Sequence, residues 1–277
     1  METIKPWYSD LRIQYMSDLH LECGGPFNVI PAGDVLVLAG DCFTARTTGR
    51  FQDFLADVMT LGFKAVIYVM GNHEGYGWTY DEAIHFLRKL EARCPEFHFL
   101  HQSAVTIDGV RFIGCPLWSR PNTNAQIQAR LYVNDYRAVR GWTLEDHMEA
   151  HEIDRQWLAD NILPKDVVVT HFPPTNNGTD EAKFGTPENN PLGSWFVNNM
   201  DEEIRIWEPG IWISGHTHHV WRKHVHGCID VGNCRGYSQM NRSTGQPANE
   251  VKGFDPTKTI IHRVFDEDAN GRAAGAA

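Results

Sequence analysis

Val35-Leu36-Val37-Leu38-Ala39-Gly40-Asp41 is the run on which the fold turns. Five apolar residues in succession, two of them β-branched, suit a strand buried on both faces. The run ends in a glycine and a carboxylate. The same construction recurs on either side of it. Leu11 to Met16 leads into Asp18, Ala65 to Met70 into Asn72, Val167 to Val169 into His171, and Ile211 to Ile213 into His216. Each apolar run ends within a few residues of a side chain able to bind a metal. In α/β sheets the ligand crevice lies beyond the carboxyl ends of the strands, so residues far apart in sequence can converge there.

Between the second and third runs, Phe51, Phe54, Leu55, Val58 and Leu61 follow the stripe of a helix packed on a sheet. After the third, Thr79 and Glu82 form a capping-box start, with Ala83, Ile84, Leu87 and Leu90 on one face behind it. Strands alternating with helices imply a largely parallel or mixed sheet. Asp108-Gly109, flanked by Ala104 to Ile107 and Val110 to Gly114, adds a hairpin. The fold class expected is therefore α/β with mixed sheets. Two long polar segments, Ser119 to Trp142 and Phe172 to Ser194, read as functional loops. One domain is expected over residues 1–265, with 266–277 as a flexible tail.

Composition narrows the function. No apolar stretch reaches the ~18 to 20 residues of a membrane span, and residues 1–10 lack a secretory apolar segment, so a soluble, cytoplasmic protein is expected. The six cysteines (Cys23, Cys42, Cys94, Cys115, Cys228 and Cys234) form no CxxC pair, against a zinc finger or disulfide framework. A formal charge of −10 disfavours broad capture of nucleic acid.

His20 and His218 each stand two positions after another candidate ligand, and on an extended strand end that spacing returns a side chain to the same side. Asp41 has no such companion, as suits a carboxylate bridging two cations ~3.5 to 4 Å apart. Two divalent ions carry four positive charges, Asp18 and Asp41 offset two, and a bridging hydroxide offsets a third. The remaining positive charge attracts phosphate. A neutral Asn72 preserves it where a third carboxylate would not.

Together these residues resemble the calcineurin-like metallophosphoesterases. The elements stand in that family's order: Asp18-Leu19-His20, Gly40-Asp41, Gly71-Asn72-His73-Glu74, His171, and Gly215-His216-Thr217-His218. The resemblance, which covers roughly Leu11 to Tyr237, implies a two-sheet sandwich flanked by helices. It also implies that Asp18, His20, Asp41 and His218 hold one metal, and Asp41, Asn72, His171 and His216 the other. His73 binds none; with Asn72 it borders the phosphate, and it protonates the leaving alkoxide. The implied reaction is in-line attack on phosphorus by the bridging hydroxide. Carboxylate, amide and imidazole without thiolate suit manganese, iron or zinc.

In the protein-phosphatase branch an Asp-Arg-Gly following the Gly-Asp motif orients the catalytic histidine, whereas here Gly40-Asp41 continues Cys42-Phe43-Thr44-Ala45-Arg46. Either another group orients His73 or its role as acid is weaker than the family implies, and a protein phosphatase is disfavoured. Arg46 and Arg235 are candidate phosphate clamps through their forked donors. Trp118, Tyr132, Tyr136, Trp142, Trp195 and Phe196 either cover the core or stack on a leaving group. His219 should point away from His218, and Cys42 reads as a buried filler. The substrate expected is a small-molecule phosphate ester, with a lean to diesters and some monoesterase activity. The alternatives are a non-catalytic scaffold and a nuclease.

Overall fold

The computed structural model describes residues 8–23, 27–186, 188–240 and 247–265; the expected tail, 266–277, lies outside them. Two mixed sheets form a sandwich. The first contains β1 (Tyr8–Met16), β2 (Val35–Ala39), β3 (Ala65–Val69), β4 (Phe97–Phe99) and the last strand, β13 (Thr259–Phe265), in the order β13-β1-β2-β3-β4. Only the β13–β1 pair is antiparallel. The second contains β5 (Ser103–Ile107), β6 (Val110–Gly114), β7 (Val167–Val169), β8 (Ile211–Ser214), β9 (Val220–Val225) and β10 (Cys228–Asn233), in the order β5-β6-β7-β8-β10-β9. A short ribbon pairs β11 (Gln239–Met240) with β12 (Pro247–Ala248).

The predicted runs all became strands, because their continuous apolar character lets each bury both faces. Val35, Val37 and Ala39 pack inward with Ile13, Ile67, Phe112, Val169 and Ile213 in the layer between the sheets. Leu36 and Leu38 point the other way, onto α1 (Thr48–Met59) and α2 (Tyr80–Glu91). Phe51, Phe54, Leu55 and Val58 are the buried stripe of α1, and the Thr79–Glu82 capping box opens α2. Asp108 (φ 48°) and Gly109 (φ 80°) turn the β5–β6 hairpin.

The two polar segments are not simply loops. The first folds as α3 (Thr123–Tyr132) and α4 (Asp135–Ala138). After α5 (Leu144–Asn161), the second contributes the short turns α6 (Glu181–Phe184) and α7 (Gly193–Phe196), followed by α8 (Asp201–Trp207). Trp118, Ala125, Ala129, Phe172 and Trp195 make a separate small core, with Tyr136, Trp142 and Phe196 packed on it. These aromatics therefore hold a cap together, while Tyr132 is exposed. The outer face of the second sheet, through Ile113, Val168 and Trp212, is covered by Leu158 of α5 and Ile204 of α8.

At one end the sheets are tied directly. Ser17, just past β1, forms a parallel bridge with Cys234, just past β10, and Arg235 N donates to Ser17 O at 3.0 Å. The predicted metal ligands surround that junction.

Candidate metal centre

The ligands sit on turns just past the strands, and the backbone there is unusual. Asp18 (φ 53°), His20 (44°), Asp41 (55°), His216 (72°) and His218 (51°) all occupy the left-handed region. Such conformations cost ~1 kcal/mol or more for a residue with a side chain and persist where the surroundings impose them. Extended-strand alternation is therefore not what brings Asp18 and His20, or His216 and His218, to one side; left-handed turns do. The turn carrying the first pair is laced to the one carrying Asp41, with Asp18 N on Gly40 O and His20 N on Asp41 O, each at 3.0 Å.

Asp18, His20 and His218 bring donor atoms within 4.8 Å of one another, as do Asp41, His171 and His216. Between the clusters Asp41 Oδ2 lies 4.0 Å from His20 Nε2 and 3.4 Å from His171 Nε2. Asn72 Oδ1 is 3.2 Å from His171 Nε2. The structure thus gathers all seven predicted ligands around the Asp41 carboxylate. Gly71 makes this possible, because a methyl group there would meet that carboxylate and come within 2.6 Å of His171 Nε2.

The donor chemistry fits cations. His20 Nδ1 is 2.9 Å from Glu22 Oε1, His218 Nδ1 is 2.7 Å from Glu250 Oε2, and His171 Nδ1 is 2.8 Å from Ala39 O. Each acceptor takes the Nδ1 proton and leaves Nε2 as the ligand atom, the usual arrangement behind metal-binding imidazoles. The Nε2 atoms of His20 and His218 then face each other at 3.0 Å, and His216 Nε2 is buried without a partner. Two facing lone pairs repel unless a cation or a proton lies between them. Electrostatics agree: burial opposes charge on His171, but Asp41 and Asp18 hold its pKa up at about 10. Burial is likewise outweighed at His218 by Glu250 and Asp18, which raise it. His216, buried beside His171, is pushed well down.

Carboxylates to which the sequence assigned no role brace this set. Glu74, fully buried, accepts from the backbone N–H groups of Asp41 (3.1 Å), Cys42 (2.7 Å) and Gly71 (2.6 Å) and from Tyr68 OH (2.7 Å). It shapes the turn that presents Asp41. Asp135 accepts from Asn72 Nδ2 at 3.0 Å, turning the amide oxygen toward His171. Glu22 Oε1, besides meeting His20, lies 3.0 Å from His73 Nδ1. It stands where the family's missing carboxylate was needed, and the Asp-x-His-x-Glu spacing was its only sequence signal.

His73 opens a short 3₁₀ turn, stacks on Tyr76 at 4.2 Å between centroids, and points Nε2 toward Tyr237 OH (3.3 Å) and Asp41 Oδ2 (4.0 Å). Although burial works against it, Asp41 and Glu22 raise its pKa to about 9. It lines a cleft of about 290 Å³ together with Asn72, His216 and His218. Apolar residues of the cap, including Phe184, Leu192 and Phe196, form another wall, and Lys183 stands beside Glu250 at 3.7 Å.

Neither expected clamp reaches this cleft. Arg46 is exposed on the turn before α1. Arg235 is buried, with Nη1 on Leu19 O (2.9 Å), Nε on Asn249 Oδ1 (3.0 Å) and its guanidinium over the Phe27 ring. Its donors brace the ligand turn from behind, and Lys183 is the one fixed cation among the lining residues. His219 stacks on Trp221, away from both clusters, and Cys42 is buried.

The calcineurin-like phosphoesterase profile matches residues 11–220. The chain belongs to that family. It is 26% identical over 262 residues to an uncharacterized protein of Acanthamoeba polyphaga mimivirus, covering 82% of this chain and 91% of that one. A UPF0046 protein of Caenorhabditis elegans is 24% identical over 264 residues, 90% of this chain and 77% of the other. Among solved structures, the phosphopantetheinyl hydrolase of Mycobacterium tuberculosis superposes with a TM-score of 0.61 at 17% identity, over 81% of this chain and 89% of that one. At that identity the likeness is one of fold. This calcineurin-like phosphoesterase has a metal-dependent hydrolase fold with His/Asp clusters that could hold metal. Among its described residues no helix is long and apolar enough to cross a membrane.

Proposed function

We propose that this phosphoesterase hydrolyses small phosphoric esters, diesters with some monoesters, using two divalent cations. Asp18, His20, Asp41 and His218 would hold one, and Asp41, Asn72, His171 and His216 the other. Manganese, iron and zinc suit this set, which contains no thiolate. The observation carrying the reading is the complete donor set around a single central carboxylate, opening on a cleft that His73 also lines. Bound there, divalent cations supply Lewis acidity, polarising a phosphoryl group and bringing the pKa of water toward neutrality.

The chain's own residues do the rest. Asn72, turned by Asp135, keeps a neutral ligand beside the phosphate, so the positive charge that attracts it is preserved. His73 holds a proton on Nε2 at the edge of the cleft, where a departing ester oxygen can take it; a positioned imidazole contributes ~10² to 10⁴ in rate. Its rigid setting between Tyr76 and Glu22 limits the reorganisation this transfer needs. The cleft volume and the acidic lining, relieved by Lys183 alone, favour a small ester over a polynucleotide.

The test is a panel of aryl monoesters and diesters with manganese, followed by nucleotides, compared as kcat/KM. Diesters should lead and oligonucleotides should be poor substrates. A purified chain that takes up no manganese and hydrolyses none of the panel would leave the scaffold alternative instead.

A further inference from the structure

Among the described residues, Glu22 is the carboxylate that meets the Nδ1 atoms of both His20 and His73. A single oxygen, Oε1, meets His20 Nδ1 at 2.9 Å and His73 Nδ1 at 3.0 Å. Its other oxygen is buried without a partner. The two rings stand edge to face, their centroids 4.5 Å apart. His20 belongs to the metal set and His73 does not, so one acceptor fixes the tautomer and tilt of a ligand and of the proton carrier together. These three residues lie within donor distance of one another, but the carboxylate closes the group internally through two hydrogen bonds. That makes it a brace and not a third cation site.

We propose that Glu22 is a positioning residue that couples the two roles: by accepting from both Nδ1 atoms, it turns His20 Nε2 to the first cation and His73 Nε2 to the leaving oxygen. The assignment rests on the reading of function given above. Glu22 does not touch the reacting atoms; it acts through the two imidazoles. In the protein-phosphatase branch the corresponding carboxylate follows the Gly-Asp motif, whereas here it follows the first histidine. Metal binding and leaving-group protonation are thereby tied to one side chain.

The variants Glu22→Ala and Glu22→Gln separate the two arms. Lost support behind a ligand typically costs 10- to 100-fold in metal affinity, so Glu22→Ala should bind manganese about tenfold more weakly by titration. At saturating manganese, its kcat on an alkyl ester should fall by about 10², while a p-nitrophenyl ester, which needs little protonation, should be nearly unaffected. Glu22→Gln, isosteric and still an acceptor, should fold and fall between the two. Adding His73→Gln to Glu22→Ala should cost nothing more on the alkyl ester, because the pair acts as a unit.

A wild-type dependence on leaving group in manganese-saturated Glu22→Ala and Glu22→Gln, or fully additive losses in the double variant, would overturn the assignment. An independent readout needs no turnover. In the zinc-loaded protein, proton NMR should show two protected imidazole N–H resonances from His20 and His73, both lost in Glu22→Ala. Their absence from the wild type also overturns it. If those resonances are present but the wild type cleaves no ester, the reading of function fails and the shared hydrogen bonding stands.

Discussion

At the scale of single residues, the centre is a set of atoms that demand positive charge. Without cations, protons would take their place: Asp41, with the other carboxylates, holds His171 at about 10 and His73 at about 9 against the pull of burial. Cations must displace protons from the imidazoles that ligate them. Uptake of zinc at pH 8 should therefore release on the order of one proton per protein, measured with an indicator dye in weak buffer. Because His171 keeps its proton up to about 10, metal affinity should weaken steadily as pH falls from that value, and activity should decline with it once the centre is no longer fully loaded. Substitutions divide the roles. Asp41→Asn should empty or misplace both cations by metal analysis. His73→Gln should retain them while losing about 10² or more in kcat on alkyl esters. The ligands were legible because each lies just past the end of an apolar strand, a pattern visible in one dimension. Glu22, Glu250 and Asp135 were not, because an acid acquires such a role only when the fold brings an imidazole or amide to it. Arg235 misled for the converse reason: a guanidinium near a motif can face inward as readily as outward.

The elements show where hydrophobic pattern is informative and where it fails. β2, β3, β7 and β8 announced themselves as unbroken apolar runs. α5 did not, since its inward face carries His147, His151 and Asp154 among the buried residues, and only the Thr143–Asp146 capping box marked its start. Those polar groups meet the turn beside them: Asp154 accepts from Leu117 N at 2.8 Å, His151 Nδ1 meets Leu117 O at 2.9 Å, and His147 Nε2 meets Ser119 Oγ at 2.9 Å, while His147 Nδ1 is buried without a partner. Burial holds His147 down at about 3. A folded-state pKa below the unfolded value of ~6.5 means that unfolding binds a proton, so the stability from keeping His147 neutral is fully present above pH 6.5 and lost as pH falls toward 3. At pH 5 the loss is roughly 2 kcal/mol. Asp154, raised by burial to about 7, contributes in the opposite direction, so the two must be separated by mutation. In urea denaturation, His147→Gln should show less loss of stability between pH 8 and pH 5 than the parent; equal losses would remove His147 as the cause.

For the molecule as a whole, the ligands come from both layers of the sandwich. Asp18, His20, Asp41 and Asn72 follow strands of the first sheet, and His171, His216 and His218 follow strands of the second. Cations bound there would join the sheets at the end where Ser17 and Cys234 already bridge them. Zinc at a thousandfold excess over its dissociation constant should stabilise the fold by about 4 kcal/mol, and EDTA should reverse this as a lower Tm. The sandwich was legible as a resemblance supported by strand runs. β13 was not: it returns from the far end of the chain to pair with β1, and no local signal indicates a partner some 250 residues away.

The left-handed turns that carry five of the seven ligands have one more consequence, for durability. They set what the chain must do to work against what it would do merely to last. His218→Gly should abolish activity, yet in EDTA it should withstand about 1 kcal/mol more urea stress than the parent, because glycine adopts that backbone freely. Such a trade between activity and endurance predicts that descendants of this scaffold freed from hydrolysis would drift toward glycine at those turns and become sturdier as they became inert.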